Sequence, residues 1–228
     1  MIVTHKSMYR SDLLSGKRIL ITGGGTGLGK SIGLRYVELG ANLVICGRRK
    51  EVLEQTAKEF KDSLGVSIET HVCDVRDAKA VESMMDAIWA MGPLDVLLNN
   101  AAGNFLARTE RLSTRAFDAV VDIVLKGSAY CTMDVGRRWI EAGRKGTVMQ
   151  ILTQSAMTGM PFTVPSAMAK AGALAMIRSL AVEWGPYGIR TVGVVPGPFP
   201  TEGAWSRLMP KERIGEAPIE QGVALRRV

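Results

Sequence analysis

Histidine is almost missing from this 228-residue chain, which has only His5 and His71. A metal centre built on imidazoles is therefore not expected. Cysteine is scarce as well. Cys46, Cys73 and Cys131 stand far apart with no C-x-x-C pair, so reduced thiols in a cytoplasm are the expected state. Aromatic residues make up 6%. With the basic residues dispersed and no RNP-like or helix-turn-helix pattern, a nucleic-acid partner is not expected. The net charge of +7 fits a polyanionic small molecule instead, such as a phosphorylated cofactor or a coenzyme A ester. No apolar run approaches the roughly 18 residues of a membrane span. Met1–Arg10 has no apolar stretch of the secretory kind. It carries His5, Lys6 and Arg10 but is short and followed by Asp12, so a mitochondrial presequence is not expected. Leu225–Val228 is no peroxisomal S-K-L address, and the expected compartment is the cytoplasm.

What the chain has in quantity is glycine, 25 residues, and an overall hydrophobic content of 46%. Seven of the glycine-turn residues stand together in Gly23-Gly24-Gly25-Thr26-Gly27-Leu28-Gly29, after the β-branched run Ile19–Thr22. Strand, glycine turn and helix place backbone N–H groups and a helix N-terminus against a phosphate. Two motifs fit. Gly24-x4-Gly29-Lys30-Ser31 satisfies a Walker A pattern, and Gly23-x3-Gly27-x-Gly29 suits a dinucleotide turn. Strands are expected at 19–22, 43–46, 66–72, 95–98, 147–152 and 190–195. Helices are expected at 28–39, 51–64, 81–90, 117–140 and 166–184, the last opening after Pro165. This alternation predicts a Rossmann-type doubly wound parallel sheet in three α/β/α layers. Residues 1–228 read as one domain, with 1–16 an N-terminal extension and 197–228 an irregular segment on the substrate side.

Ligands of such sheets bind beyond the carboxyl ends of the strands. After the second strand come Arg48, Arg49 and Lys50, with no acid before Glu51. Guanidinium forks suit a ribose 2′-phosphate, so NADP(H) is favoured over NAD. After the third comes Asp74, an acceptor for an adenine amino group or a helix N-cap. After the fourth come Asn99-Asn100-Ala101-Ala102-Gly103-Asn104-Phe105, small and polar enough to lie against a flat ligand.

Thr22–Gly29, Asn99–Gly103, the Lys170 segment and Pro196-Gly197-Pro198 together resemble the short-chain dehydrogenase/reductase family, from about Leu13 to the end. In that family Gly23–Leu28 cradle a pyrophosphate, so the Walker A match is a coincidence. Within it, Asn99–Phe105, Thr109–Ser113, Val164–Gly172 and Ala204–Leu208 are most similar to the 2,4-dienoyl-CoA reductases. The resemblance implies NADPH-dependent reduction of an unsaturated acyl-CoA in fatty acid β-oxidation, and a homo-oligomer, commonly a tetramer. It implies that Asn104 donates to the thioester oxygen, that Ser166 positions substrate or Lys170, and that Lys170 binds the nicotinamide ribose. Asn100 and Pro196, Gly197, Pro198 and Phe199 fall at cofactor positions. Arg48, Arg76, Phe105, Ser113 and Arg207 fall at acyl-CoA positions. The superfamily tyrosine is Ser166 here, and the reductases' own tyrosine, eleven positions earlier, is Ser155. Thr153 occupies the place of the usual family serine. Carbonyl or 3-oxoacyl reduction and NADP(H) binding with little turnover are the alternatives. Family chains continue into a further helix and a seventh strand. With this one stopping at Val228, a sheet lacking that final strand is expected.

Overall fold

The computed structural model describes residues 8–197 and residue 199. Six strands form one parallel sheet in the order β3-β2-β1-β4-β5-β6. They are β1 (Arg18–Thr22), β2 (Asn42–Gly47), β3 (Glu69–Val72), β4 (Val96–Asn99), β5 (Gly146–Ile151) and β6 (Ile189–Val194). The order steps outward from β1 to β3, then jumps back to β4 beside β1. Right-handed crossovers therefore put the two sets of helices on opposite faces. On one face lie α1 (Gly27–Glu38) and α2 (Lys50–Leu64). On the other lie α3 (Ala78–Ala90), the continuous α4 (Thr114–Val121) and α5 (Gly127–Glu141), and α7 (Val164–Trp184).

Each strand's apolar run is buried because helices cover both faces. Leu20, Val44, Leu97 and Val148 point to the core under α3 and α5, around the fully buried Trp139. Ile19, Ile21, Leu43, Ile45 and Leu98 point the other way, onto Val37, Leu53 and Phe60. Leu14 joins that second cluster and its N–H donates to Leu39 O at 2.8 Å. Polar residues also reach the interior. Asn99 and Gln150 face each other across β4 and β5. They donate to Thr132 Oγ1 at 2.8 Å and Ser128 Oγ at 3.3 Å, one turn apart on α5.

Three departures from the expected elements have local causes. The third strand starts at Glu69, not Val66, because pairing with β2 begins at Val44–Glu69. The helix expected from Val81 begins at Ala78, because Asp77 caps it by accepting from the N–H groups of Lys79 and Ala80. The long helix expected at 117–140 spans 114–141 but widens to a π-turn at Asp122–Lys126. On the outer edge, among the described residues, β6 pairs with β5 alone.

One tryptophan tests this packing. Trp139 donates from Nε1 to Leu94 O at 2.7 Å, which fixes its ring. A Cβ at Gly146 would lie 2.4 Å from that ring, whereas one at Gly185 would meet nothing within 4 Å. Overpacking costs about 1–3 kcal/mol, which corresponds to roughly 3–10 °C in this size range. Gly146→Ala is expected to lower the calorimetric midpoint by that amount, and Gly185→Ala to leave it within about 2 °C.

Candidate active site

The reversal of strand order opens a crevice between the carboxyl ends of β1 and β4. One hydroxyl closes it at the base. Thr22, the last residue of β1 and buried, accepts from the backbone N–H groups of Asn100 and Ala101, both at 3.0 Å. Asn100 replies from its amide, donating to Thr22 O at 2.9 Å and Gly23 O at 3.2 Å. The glycine turn is thus held from behind by the chain leaving β4.

Glycine is needed at particular places in that turn. Gly23 and Gly27 have φ of 67° and 54°, a region that disfavours side chains. A Cβ at Gly29 would fall 2.4 Å from Asn100 Nδ2 and 2.6 Å from Gly23 O. Gly24 answers a different demand: its Cβ would strike Ile45 at 2.5 Å, so it is a packing glycine against β2. Lys30 pairs with Glu59 of α2, and Ser31 donates to Gly27 O at 3.1 Å. Both Walker A residues are spent inside the fold.

The turn walls a cavity of about 320 Å³. Gly23, Gly25, Thr26 and Leu28 line one side, and Arg48, Arg49 and Asp74 another. Asn100, Ala101, Ala102 and Ile123 close it. The predicted cofactor residues on the first four strands, Gly24 and Gly27 aside, therefore share one hollow. Arg48 and Arg49 are exposed at its rim. Asp74 is not the helix cap that its position also allowed, since Asp77 takes that role. It pairs with Arg76 instead, accepting from Nε at 2.9 Å and from a terminal nitrogen at 2.5 Å. The Arg76 guanidinium holds the Asp74 carboxyl below the usual carboxylate range. One ion pair thus joins two residues whose predicted roles were separate. Cys73 lies beside it, a lining residue that its sequence context did not signal. Burial pushes its thiol up to about 11. A flat, phosphorylated ligand fits the hollow, which offers a glycine turn without side chains, two guanidinium groups at the rim and one ionised acceptor.

The second group of predicted residues gathers at the carboxyl end of β5. α7 starts at Val164 rather than Ser166, with Pro165 inside its first turn. Ser166 and Lys170, four apart, face inward and are 7% and 5% exposed. Lys170 Nζ donates to Ile151 O, the last carbonyl of β5. Burial lowers its pKa to about 8. Ser155 opens a one-turn helix, α6 (Ser155–Thr158), that the alternating pattern did not predict. It is 9% exposed and donates to Thr153 Oγ1 at 3.4 Å. Phe105 packs on the cluster formed by Val120, Val124 and Ala169, the last being the residue before Lys170. Next to Phe105, Asn104 Oδ1 accepts from Phe105 N at 2.9 Å, which leaves its amide N–H groups to donate.

Ser113 stands apart from this group. It caps α4, accepting from Ala116 N at 3.2 Å. Pro196 is half-buried, and Gly197 and Phe199 are exposed. Pro198 and Arg207 lie outside the described residues. None of the four tyrosines stands in for Ser155. Tyr36 donates to Met149 Sδ at 3.5 Å, and Tyr187 sits at the amino end of β6. Tyr130 packs on the core cluster of α3 and α5, and Tyr9 precedes β1. A larger hollow of about 1060 Å³ opens at the opposite end of the sheet, near Lys17, Arg144, Lys145 and Arg190. It contains neither the glycine turn nor the hydroxyl group, so its size does not make it the active site. Among the described residues no group of side chains could hold a metal ion, and no helix is long and apolar enough to cross a membrane.

Comparison with known proteins agrees with this geometry. A family model described as short chain dehydrogenase matches residues 17–211. An "uncharacterized oxidoreductase" of Caenorhabditis elegans is 48% identical over 201 residues, 87% of this chain and 64% of that protein. A second protein of that organism, named "Probable 2,4-dienoyl-CoA reductase 3 [(3E)-enoyl-CoA-producing]", is 44% identical over 213 residues, 92% of this chain and 69% of that one. The chain therefore spans about two thirds of the length of these relatives. The crystal structure of a short chain dehydrogenase from Bacillus anthracis superposes with a TM-score of 0.82 at 40% identity, covering 93% of this chain and 83% of that one.

Two changes probe the site. Thr22→Val keeps shape but leaves two N–H groups without an acceptor, at about 1–3 kcal/mol each. Chemical denaturation is expected to show a loss of at least the lower figure. The second concerns Lys170. Unfolded, it titrates near 10.5; folded, near 8. Between these values the unfolded chain holds a proton the folded one has released, so this group adds stability as pH rises from 8 to 10.5. The buried thiols act oppositely, since Cys46 and Cys73 are pushed up to about 12 and 11. Their contribution cancels when Lys170→Met is subtracted from the parent. The unfolding free energy of the parent minus that of the variant is expected to climb across pH 8–10.5; a flat difference would refute the buried-cation assignment.

Proposed function

Because the chain belongs to the short-chain dehydrogenase family, we propose that it is an NADPH-dependent reductase of a 2,4-dienoyl-CoA or a related unsaturated acyl-CoA. The observation that carries this reading is that Phe105, next to Asn104, packs on the cluster to which Ala169 of α7 belongs, in the helix turns where Ser166 and Lys170 are buried. Gly23–Leu28 and Asn100 would hold the cofactor's phosphates, Arg48 and Arg49 its 2′-phosphate, Asp74 its adenine and Lys170 its nicotinamide ribose. Pro196, Gly197, Pro198 and Phe199 would run beside the nicotinamide. Bound NADPH supplies the hydride that adds to the terminal carbon of the conjugated diene.

The chain's own residues manage the charge and the proton. As the hydride adds, negative charge moves onto the thioester oxygen. Asn104 meets it with an amide N–H, oriented by the bond its own oxygen accepts from Phe105 N. A fixed donor of this kind acts by electrostatic preorganisation. Lys170, titrating near 8, remains mostly cationic at neutral pH and holds positive charge beside the ribose. Ser166 positions substrate or Lys170. A proton then reaches the α-carbon, leaving a 3-enoyl thioester. In this reading Ser155 is the hydroxyl that serves that step, and Thr153 accepts its hydrogen bond. Arg48, Arg76 and Arg207 serve the coenzyme A phosphates and Phe105 the acyl portion; Ser113 would act there only beside its capping role. Carbonyl reduction fits less well, because Ser166 replaces the phenol that would protonate an alkoxide. Buried thiols fit a reducing compartment such as the cytoplasm, and a homo-oligomer fits the family pattern.

One observation favours a second reading, NADP(H) binding with little turnover: a serine hydroxyl at 155 is far less acidic than a phenol. Following NADPH absorbance with a short 2,4-dienoyl-CoA, a 3-oxoacyl-CoA and no substrate separates the two. Dienoyl-dependent oxidation is expected. A positioned general acid is worth about 10²–10⁴ in rate, so Ser155→Tyr should raise kcat at least tenfold. Arg48→Ala should weaken NADPH binding by about 10-fold or more, from the loss of a charge-assisted bond, and NADH binding by less than twofold. Binding without turnover in the parent would sink the reductase reading, and equal losses for both cofactors the 2′-phosphate contact.

A further inference from the structure

Among the described residues one non-glycine, Phe162, has left-handed backbone, with φ of 65°. A bulky side chain is a genuine outlier there, and such strain persists only where surrounding bonds enforce it. Those bonds are present. Phe162 O accepts from Ala107 N at 3.0 Å, and Thr163 Oγ1 donates to Met160 O at 3.0 Å. The first ties the segment to a point three residues beyond Asn104. Along the chain, the segment is bracketed by Ser155 and Ser166. Two of the residues assigned to the site thus border the segment in sequence, and the chain leaving a third, Asn104, is hydrogen-bonded to it.

Yet this well-tied segment presents large apolar side chains to the outside. Met157, Met160 and Phe162 are 58%, 54% and 42% exposed. No charged residue occurs from Gly146 to Ala169, in a chain that is 22% charged. Methionine is unbranched and polarisable, and it moulds to variable apolar ligands. An exposed apolar strip that adjoins a reactive site marks a ligand surface.

We propose that Met157, Met160 and Phe162 form the seat of the substrate's alkyl tail, so that acyl chain length is read here. The proposal rests on the acyl-CoA reading above. The occupant is an alkyl chain because the strip carries no charge and lies, along the chain, between the two serines that the acyl-CoA reading assigns to the site. A thioester held by Asn104 and Ser166 must send its tail past it.

Saturated acyl-CoA thioesters of 4, 8 and 12 carbons accept no hydride, so calorimetric titration of the NADPH-saturated protein reads binding apart from turnover. Full burial of one methylene is worth about fourfold in affinity. On a half-open strip the rise from 4 to 12 carbons is expected to be roughly tenfold or more. Met157→Ser/Met160→Ser should flatten that rise to within twofold, and Met157→Leu/Met160→Leu should restore it, which separates tail contact from damage to the fold. No rise in the parent, or a rise that persists in the serine variant, overturns the proposal. So does a changed sedimentation mass in that variant, which would make the strip a contact between copies. Reduction of dienoyl thioesters without any length dependence would remove the tail seat and leave the reductase reading standing. Length-dependent binding without reduction would do the reverse.

Discussion

The crevice depends on the Thr22 hydroxyl. β1 and β4 are neighbours in the sheet but belong to opposite arms of the winding, so the chains leaving them diverge. Nothing in a parallel ladder holds two diverging ends together. Thr22 Oγ1 does so by accepting two consecutive N–H groups, and Asn100 returns two bonds to the carbonyls of Thr22 and Gly23. Thr22 is buried and its partners are half-buried, and an unmet partner away from water costs about 1–3 kcal/mol. The glycine turn therefore has little freedom to adapt. Its backbone is fixed before any phosphate arrives, which is the condition for cheap anion binding by N–H groups.

The two halves of the site are held by different physics. The cofactor side is a backbone cradle edged by ions, and its Asp74–Arg76 pair is partly exposed, so it contributes little to stability. Its value is to keep a carboxylate ionised beside the hollow. On the reacting side, burial takes Lys170 out of water with a backbone carbonyl as its hydrogen-bond acceptor. Such burial penalises the charged form, which is why its pKa falls to about 8. A fold tolerates that cost where the cation has work to do.

Much of the frame was legible because it is local. Period and glycine placement marked the strands, the turn and the strand ends, and Arg48, Arg49 and Asp74 were named from position alone. What escaped was set by distant partners. Thr22 reads as one more β-branched strand residue, and only Asn100, 78 positions away, gives its hydroxyl a purpose. Asp74 reads as a possible cap from its place after the third strand, but the helix starts at Ala78, so the cap is Asp77. Ser113 shows the same competition, since the local demand of the α4 N-terminus claims its oxygen. α6 is a single turn, too short to have a period, and the π-turn at 122–126 leaves the apolar pattern of its helix unbroken. The left-handed backbone of Phe162 has no signal at all, because residue type argues against it.

The absent tyrosine gains meaning from where the other four stand. Each is tied to another part of the fold or sits away from the β5 terminus, so Ser155 is not excused by a phenol arriving from elsewhere. The hydroxyl chain that remains, Ser155 to Thr153, can pass a hydrogen bond but offers no acid matched to neutral pH. Lys170 is the one group there whose pKa lies near 8. Its contribution to the proposed reaction is then twofold. Its charge favours the electron flow toward the thioester, and among the side chains assigned to that end it is the one whose acidity comes closest to neutral pH. In the proposed reaction protonation is then the slow step, while the hydride step keeps the fixed donor of Asn104.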